Sequence, residues 1–185
     1  MVLAAIGDDS YKIVLILHIL AVVAGIGAVT LNGVYGAQAK ARKGREGLAI
    51  AEANFRVSVL AEYLIYTIPV FGIALVLMSG KDSSGDRFYD FDQTWIWLSI
   101  LLYVIAMGIA HGVVMPTAKK MQGLMRELNE MGPPPAGGPG AGGPPPQVAQ
   151  LEALGKRIGA GGAALNLLTV ALVVLMVWKP GGPGL

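Results

Sequence analysis

Three ionisable side chains interrupt otherwise apolar stretches of this sequence: His18, Glu62 and His111. Imidazole is a common ligand of metal ions and of haem iron, and a carboxylate beside an imidazole can relay a proton. Two amides, Asn32 and Asn166, lie in the same stretches. Ionisable groups inside a membrane span are costly and mark functional sites by default. These residues are therefore the candidates for chemistry.

The helical neighbours of His18 carry almost no bulk. At helical spacing from it lie Ala21, Gly25, Ala28 and Asn32. A stripe of small residues lets two helix backbones approach closely, and it can equally leave a slot for a planar cofactor beneath the imidazole. In the first case the imidazole needs a polar partner in the bundle, such as the hydroxyl of Tyr103 or Thr169. The residues alone leave both interpretations open.

Depth decides which polar side chains can meet. At about 1.5 Å per residue, His18 lies about 10 Å inside one membrane boundary and His111 about 6 Å inside the other. The two histidines are then about 15 Å apart along the membrane normal, too far to be the two axial ligands of one haem. Glu62 and His111 share a depth, which predicts an interaction between the second and third spans. A proton relay, a divalent-cation site and a Glu62–Arg56 pair are the alternatives.

The composition favours a membrane protein without a recognisable catalytic motif. Apolar residues make up 54% of the 185 residues and charged residues 14%, against about 25% charged in soluble domains. The net charge of +2 does not suggest a nucleic-acid partner, and the lack of cysteine excludes disulfides and thiolate metal sites. The sequence contains no nucleotide-binding loop, metalloprotease signature or serine-nucleophile motif.

Four apolar stretches are long enough to cross a bilayer as helices, since about 20 residues span the hydrocarbon core. They are residues 11–34, 57–78, 95–115 and 158–178. The leader before the first stretch has no basic residue, so we expect that stretch to be retained rather than cleaved as a signal peptide. The sequence therefore predicts an all-α protein with a single membrane domain, residues 1–185, built as an antiparallel four-helix transmembrane bundle.

Lysine and arginine are distributed unevenly over the connecting segments. Ten lie after the first span or between the third and fourth, and four lie on the other side. The positive-inside rule then places both long connections in the cytoplasm and both termini outside. The composition, rich in Gly, Pro and Ala, is associated with bacteria of high GC content, so we expect the inner membrane of a bacterial cell. Between the last two spans, thirteen of the sixteen residues 132–147 are Gly or Pro. This composition predicts a disordered cytoplasmic linker.

The start of the first span carries a further pattern. The segment Leu17-His18-Ile19-Leu20 is followed by Gly27, nine residues after the histidine. With the four spans and the basic segment after the first, this pattern resembles a family of uncharacterised predicted integral membrane proteins. That family in turn resembles the copper-resistance D type membrane domain and the bacterial membrane protoporphyrinogen oxidase, in which an early transmembrane histidine is implicated in haem binding. The resemblance implies a cofactor site at His18, Gly25 and Gly27, with Gly25 in place of an aromatic residue.

Two functions are compatible with these observations. The first is a non-enzymatic membrane protein of unknown role, an accessory subunit held to a membrane-protein partner or to its own copies by small-residue seams. The second is a haem- or metal-handling membrane protein that uses His18. A bound chromophore would distinguish them. The last span carries one such small, mildly polar seam, which we interpret as a packing face, at Gly155, Gly159, Gly162, Asn166 and Thr169.

Overall fold

The computed structural model describes residues 6–42, 44–81, 85–132 and 146–182. These residues form five α-helices and one π-helical turn, and none of them lies in a β-strand. The elements are α1 (Asp9–Ala41), α2 (Arg45–Leu77), α3 (Thr94–Ile109), the π turn (Ala110–Val114), α4 (Met115–Glu130) and α5 (Pro146–Trp178). The predicted all-α class is confirmed.

Four helical runs are long and apolar enough to cross a bilayer: α1, α2, α3 continued through α4, and α5. A run of 33 residues is about 50 Å long at 1.5 Å per residue, which exceeds the hydrocarbon core of about 30 Å. Large apolar side chains cover the outside of these helices; Leu60 is 66% exposed and Leu167 is 72% exposed. Such faces are compatible with lipid, where helices satisfy their own backbone groups.

A tight turn joins α1 to α2. Gly44 has φ of +71°, a left-handed conformation that glycine adopts without a steric cost. A Cβ atom on Gly47 would stand 1.8 Å from the carbonyl oxygen of Arg42. Only glycine fits so close to that carbonyl, and α2 can therefore start directly after the turn.

The third helical run continues past the end of the predicted span. At the π turn the backbone N–H of Met115 donates to the carbonyl of Ala110, five residues back instead of four. Pro116, which has no N–H to donate, follows at once inside α4. The helical extension predicted beyond residue 115 is thus present as α4.

The Gly/Pro tract lies largely outside the described residues, which stop at 132 and resume at 146. The last helix begins at Pro146, one residue before the end of the tract. Proline is well tolerated in the first turn of a helix because an N–H there has no helical acceptor. The predicted disorder of 133–145 is therefore not addressed by the described structure.

The chain divides into two compact units: Met1–Thr30 with Ser58–Ala106 and Leu167–Leu185, and Leu31–Val57 with Met107–Asn166. In the first unit, the contacts between α1 and α2 show the relative direction of the two helices: later residues of α1 contact earlier residues of α2. His18 bonds to Ile68, whereas Gly25, two turns further along α1, meets Ile65. The two helices are therefore antiparallel where they touch.

A cluster of aromatic and apolar side chains closes one end of the first unit. Trp95 and Ile96 at the start of α3 are buried, and Tyr89 packs against them. Lys179, directly after α5, has a positive φ of 44°, and its ammonium donates to the hydroxyl of Tyr89 at 2.7 Å. The backbone N–H of Trp95 donates to the carbonyl of Pro180. These contacts hold the end of α5 against the start of α3.

The second unit is held by polar contacts between α2 and α4. The side-chain amide of Gln122 donates to the carbonyl of Ala51 at 3.2 Å, and Arg126 pairs with Glu52 at 2.8 Å. Both contacts lie beyond the apolar stretches, so we expect water to screen the ion pair. They fix the face of α4 that lies on α2.

Candidate functional site

His18 is held by the backbone of a neighbouring helix. Its Nδ1 atom lies 3.0 Å from the carbonyl oxygen of Ile68 on α2. A carbonyl only accepts, so the ring carries its proton on Nδ1 and keeps a lone pair on Nε2. Within the described part of the chain, Nε2 makes no hydrogen bond. The partner expected from the sequence, Tyr103 or Thr169, is therefore replaced by the carbonyl of Ile68.

Gly72 makes room for the imidazole. A Cβ atom at position 72 would stand 3.4 Å from Cε1 and 3.8 Å from Nδ1 of His18. A single methyl group fits at that distance, but a longer side chain would compete with the ring for its place. Gly72 is thus a positioning residue for His18, and it lies one helical turn after the carbonyl that the ring binds.

Pro69 explains why a second side chain, that of Tyr103, forms a hydrogen bond with the backbone of α2. Proline has no N–H, so the carbonyl of Ile65, four residues earlier, loses its helical donor. The hydroxyl of Tyr103 on α3 donates to this carbonyl at 3.3 Å. Ile65 and Ile68 are three residues apart, about 4.5 Å along the helix. The hydroxyl of Tyr103 and the imidazole of His18 therefore form hydrogen bonds with carbonyls that lie within one turn of α2.

We call the group of these five residues the His18 site: His18, Ile65, Ile68, Gly72 and Tyr103. Its polar atoms come from three helices, α1, α2 and α3. Ile65 and Ile68 contribute their backbone carbonyls as hydrogen-bond acceptors. Every residue type has such a carbonyl, so the sequence does not identify these two acceptors. Pro69 was a visible signal in the sequence, since a proline within a helix frees a carbonyl at a known position.

The glycines on α1 divide into a packed one and an open one. A Cβ atom on Gly25 would stand 3.0 Å from Cγ1 of Ile65 and 3.4 Å from its backbone nitrogen, and Ala21 is only 5% exposed. The space along this stripe is therefore filled by α2. Gly27 has no other described atom within 4 Å of its Cβ position. Nine residues from His18, at about 100° per residue, it faces the opposite side of α1.

Glu62 has a partner on its own helix. The hydroxyl of Tyr66 donates to the carboxylate of Glu62, four residues earlier on α2. This spacing places two side chains on one helix face, and it was readable in the sequence. Glu62 belongs to the first unit and His111 to the second. Their predicted interaction stays a prediction.

His111 lies in the π turn of the second unit. Its Nδ1 atom is 3.0 Å from the carbonyl oxygen of Met107, four residues back in the same helical run, and the side chain is exposed. The helix α5 approaches this turn through Gly161, whose Cβ would stand 2.8 Å from Cγ2 of Val114. Asn32 is half-buried on α1 in the same unit.

The seam predicted on the last helix does not pack within the described structure. No described atom lies within 4 Å of the Cβ positions of Gly155, Gly159 and Gly162. Asn166 is exposed and makes no hydrogen bond with any described residue. These contacts do not test whether the face packs against another molecule, so the interpretation as a packing seam stays a prediction. The glycine of α5 that packs inside its unit is Gly161.

No three histidine, aspartate or glutamate side chains among the described residues lie close enough together to hold a metal ion.

The family model described as predicted integral membrane protein (DUF2269) matches residues 12–180. The matched range includes His18, His111 and Asn166. Comparison with curated proteins finds no match, and comparison with solved structures finds none.

Proposed function

The chain belongs to the DUF2269 family of predicted integral membrane proteins, and on that premise we propose that it is a non-enzymatic membrane protein that binds haem through Nε2 of His18. The observation that carries this proposal is the hydrogen bond of 3.0 Å from Nδ1 of His18 to the carbonyl of Ile68. Histidines that ligate metals almost always donate their other ring N–H to a carbonyl or a carboxylate. Such a bond fixes the tautomer and holds the lone pair of Nε2 in one direction.

The donor chemistry of the site fits a haem iron, which the imidazole of His18 would hold. Neutral imidazole is a common ligand of haem iron, and we choose haem as the ligand on the strength of the resemblance to membrane protoporphyrinogen oxidase that we inferred from the sequence pattern at His18 and Gly27. The stripe at Ala21 and Gly25 is filled by α2, so these two residues would not hold the haem. When bound, haem would supply a centre for electron transfer or serve as the carried molecule.

The other residues of the site act on His18. The Ile68 carbonyl accepts a hydrogen bond from the Nδ1–H group of His18 and thereby raises the basicity of Nε2. Gly72 leaves the ring its space. Tyr103 satisfies the carbonyl that Pro69 leaves without a donor, which stabilises the part of α2 that holds the imidazole.

Absorption spectroscopy of the purified protein, expressed with haem available, tests the proposal. We expect a Soret band in the wild type that disappears in His18→Ala. The matched control is His111→Ala, which removes the chain's other histidine, one with the same Nδ1 bond but a carbonyl of its own helix. A folded wild type that contains neither haem nor metal would overturn the proposal, and so would a Soret band that survives in His18→Ala.

We also propose that both termini face outward and that the protein lies in the inner membrane of a bacterial cell. The support is the excess of lysine and arginine, ten against four, in the two connections assigned to the cytoplasm. Reporter fusions at Gly47, Ser84 and Gly138 test it. Cytoplasmic signals are expected from Gly47 and Gly138 only, and a cytoplasmic signal at Ser84 would invert the topology.

A further inference from the structure

Asn166 is a polar side chain in an apolar part of α5. It lies nine residues after Arg157, about 14 Å along the helix, which is near the middle of a hydrocarbon core about 30 Å thick. Its side chain is exposed and makes no hydrogen bond with any described residue. An amide costs several kcal/mol in hydrocarbon when it has no partner, so a fold that keeps Asn166 outward needs a partner from outside.

The same face of α5 is shaped for a close helix contact. The positions 155, 159, 162 and 166 are spaced by four, three and four residues, which aligns them on one side of the helix. Three of them are glycines, and no described atom approaches their Cβ positions within 4 Å. We call these four residues the open face of α5. Small residues at this spacing let a second helix approach until backbones touch.

We propose that the open face of α5 is the interface between two copies of this chain, with the Asn166 amides of the two copies hydrogen-bonded to each other. An amide is self-complementary, because its NH₂ donates while its carbonyl accepts. A carboxylate or an ammonium would instead repel its own copy. This inference does not depend on haem binding at His18.

A second copy also satisfies the geometry that the bilayer imposes. All copies of a membrane protein insert with the same orientation, so Asn166 lies at the same depth in each of them. In a two-fold symmetric contact every residue near the axis meets its own counterpart. The open face carries no charged residue, so it has no feature that selects a charged partner over its own copy. One asparagine in an otherwise apolar seam can fix the register of two helices.

The lack of cysteine in the chain makes disulfide cross-linking a direct test. Gly162→Cys places a thiol on the open face, and Leu167→Cys places one on a side of α5 that is 72% exposed in the structure but about 100° away from Asn166. In lipid vesicles containing only the purified protein, we expect oxidation to cross-link Gly162→Cys and not Leu167→Cys. Equal cross-linking of the two, or none at Gly162→Cys, would overturn the proposal.

A second measurement addresses the amide itself. We expect Asn166→Leu to weaken dimerisation in vesicles by about three- to thirtyfold, the range that corresponds to one interhelical hydrogen bond in a membrane. The matched control exchanges two neighbours, Asn166→Leu with Leu167→Asn, and so keeps the composition while turning the amide away from the face. This double variant should lose as much dimerisation affinity as Asn166→Leu alone. A dimer of unchanged affinity in Asn166→Leu, or a wild type that stays monomeric at all protein-to-lipid ratios, would overturn the interface; the second outcome would leave lipid or another protein as the occupant.

Discussion

Two regions of the molecule combine the same three ingredients, a histidine, a proline within a helical run and a closely packed glycine. They are His18, Pro69 and Gly25 in the first unit and His111, Pro116 and Gly161 in the second. The two histidines even make the same bond, from Nδ1 to a backbone carbonyl at 3.0 Å. The carbonyl that His18 binds is 50 residues away on another helix, whereas His111 binds one four residues back.

This difference shows that residue type does not determine whether a histidine is held by another helix or by its own. The bond of His18 ties its ring to a second helix, so the ring moves only when α1 and α2 move. The Nδ1 bond of His111 ties the ring to a carbonyl of its own helical run. The prolines differ in the same way. Tyr103 from α3 donates to the carbonyl freed by Pro69, whereas Pro116 directly follows a local change of helical register.

The largest expected effect concerns the glycine that brings α1 and α2 together. We expect Gly25→Val to destabilise the protein by about 1–3 kcal/mol, because its Cβ would stand 3.0 Å from Ile65 and overpacking costs that much. Reversible unfolding in mixed micelles measures it. Gly27→Val is the matched control, on the opposite side of α1, and should change stability by less than about 0.5 kcal/mol. Equal losses would mean that the α1–α2 contact does not depend on Gly25.

The next effect concerns Gly72, whose substitution should change the tautomer of His18 and leave that of His111 unchanged. We expect Gly72→Leu to displace the imidazole of His18 from the carbonyl of Ile68, while Gly72→Ala leaves it in place because 3.4 Å is an ordinary contact distance. Ring nitrogen chemical shifts from ¹⁵N-histidine NMR report the tautomer directly. The wild type and Gly72→Ala should show His18 protonated on Nδ1, and Gly72→Leu should lose that signal. The His111 signal serves as the internal reference and should be the same in all three proteins.

Removing each imidazole gives a smaller effect. His18→Ala should cost about 1 kcal/mol, the usual net value of one hydrogen bond, since its bond joins two helices. His111→Ala should cost less than about 0.5 kcal/mol, because an exposed side chain bonded within its own turn contributes little to the folded state. The same unfolding assay, without haem present, measures both. If His111→Ala were the more destabilising change, the contrast between the regions would be wrong.

The smallest effect is the coupling between Pro69 and Tyr103. Tyr103→Phe should cost about 0.5–1 kcal/mol in the wild type, because the Ile65 carbonyl then has no donor. In a Pro69→Ala background the restored N–H can bond to that carbonyl, so Tyr103→Phe should cost almost nothing. A double-mutant cycle yields the coupling free energy. Additive losses would show that the hydroxyl does not serve the freed carbonyl.

Much of the architecture was readable from the sequence. The length of the apolar stretches predicts helices that can span a bilayer, and such helices are what the structure contains. Close packing was one of the two interpretations left open for the stripe of small residues after His18, and Gly25 does pack against α2. These features are readable because they depend on side-chain size and polarity along one helix, which the spacing of residues encodes.

The partners of the polar side chains were not readable in the same way. The partner of His18 is a backbone oxygen of Ile68, and any residue at that position would supply one. The small-residue face of α5 was visible, but its direction was not. In a lipid-facing helix every side is apolar, so hydrophobicity does not distinguish the inside from the outside. Only the structure shows that Gly161 faces inward while Gly159 is open.

The π turn also has a consequence for insertions and deletions in this chain. A π turn holds one more residue than the α-helical turn it replaces, so the extra residue is absorbed locally and the flanking helices keep their phase. Deleting one residue between Ala110 and Val114 should therefore leave Gln122 and Arg126 facing α2. The same deletion within α3 would instead rotate everything after it by about 100°. Related proteins can accordingly differ in length by one residue at this turn while α4 keeps its contacts with α2.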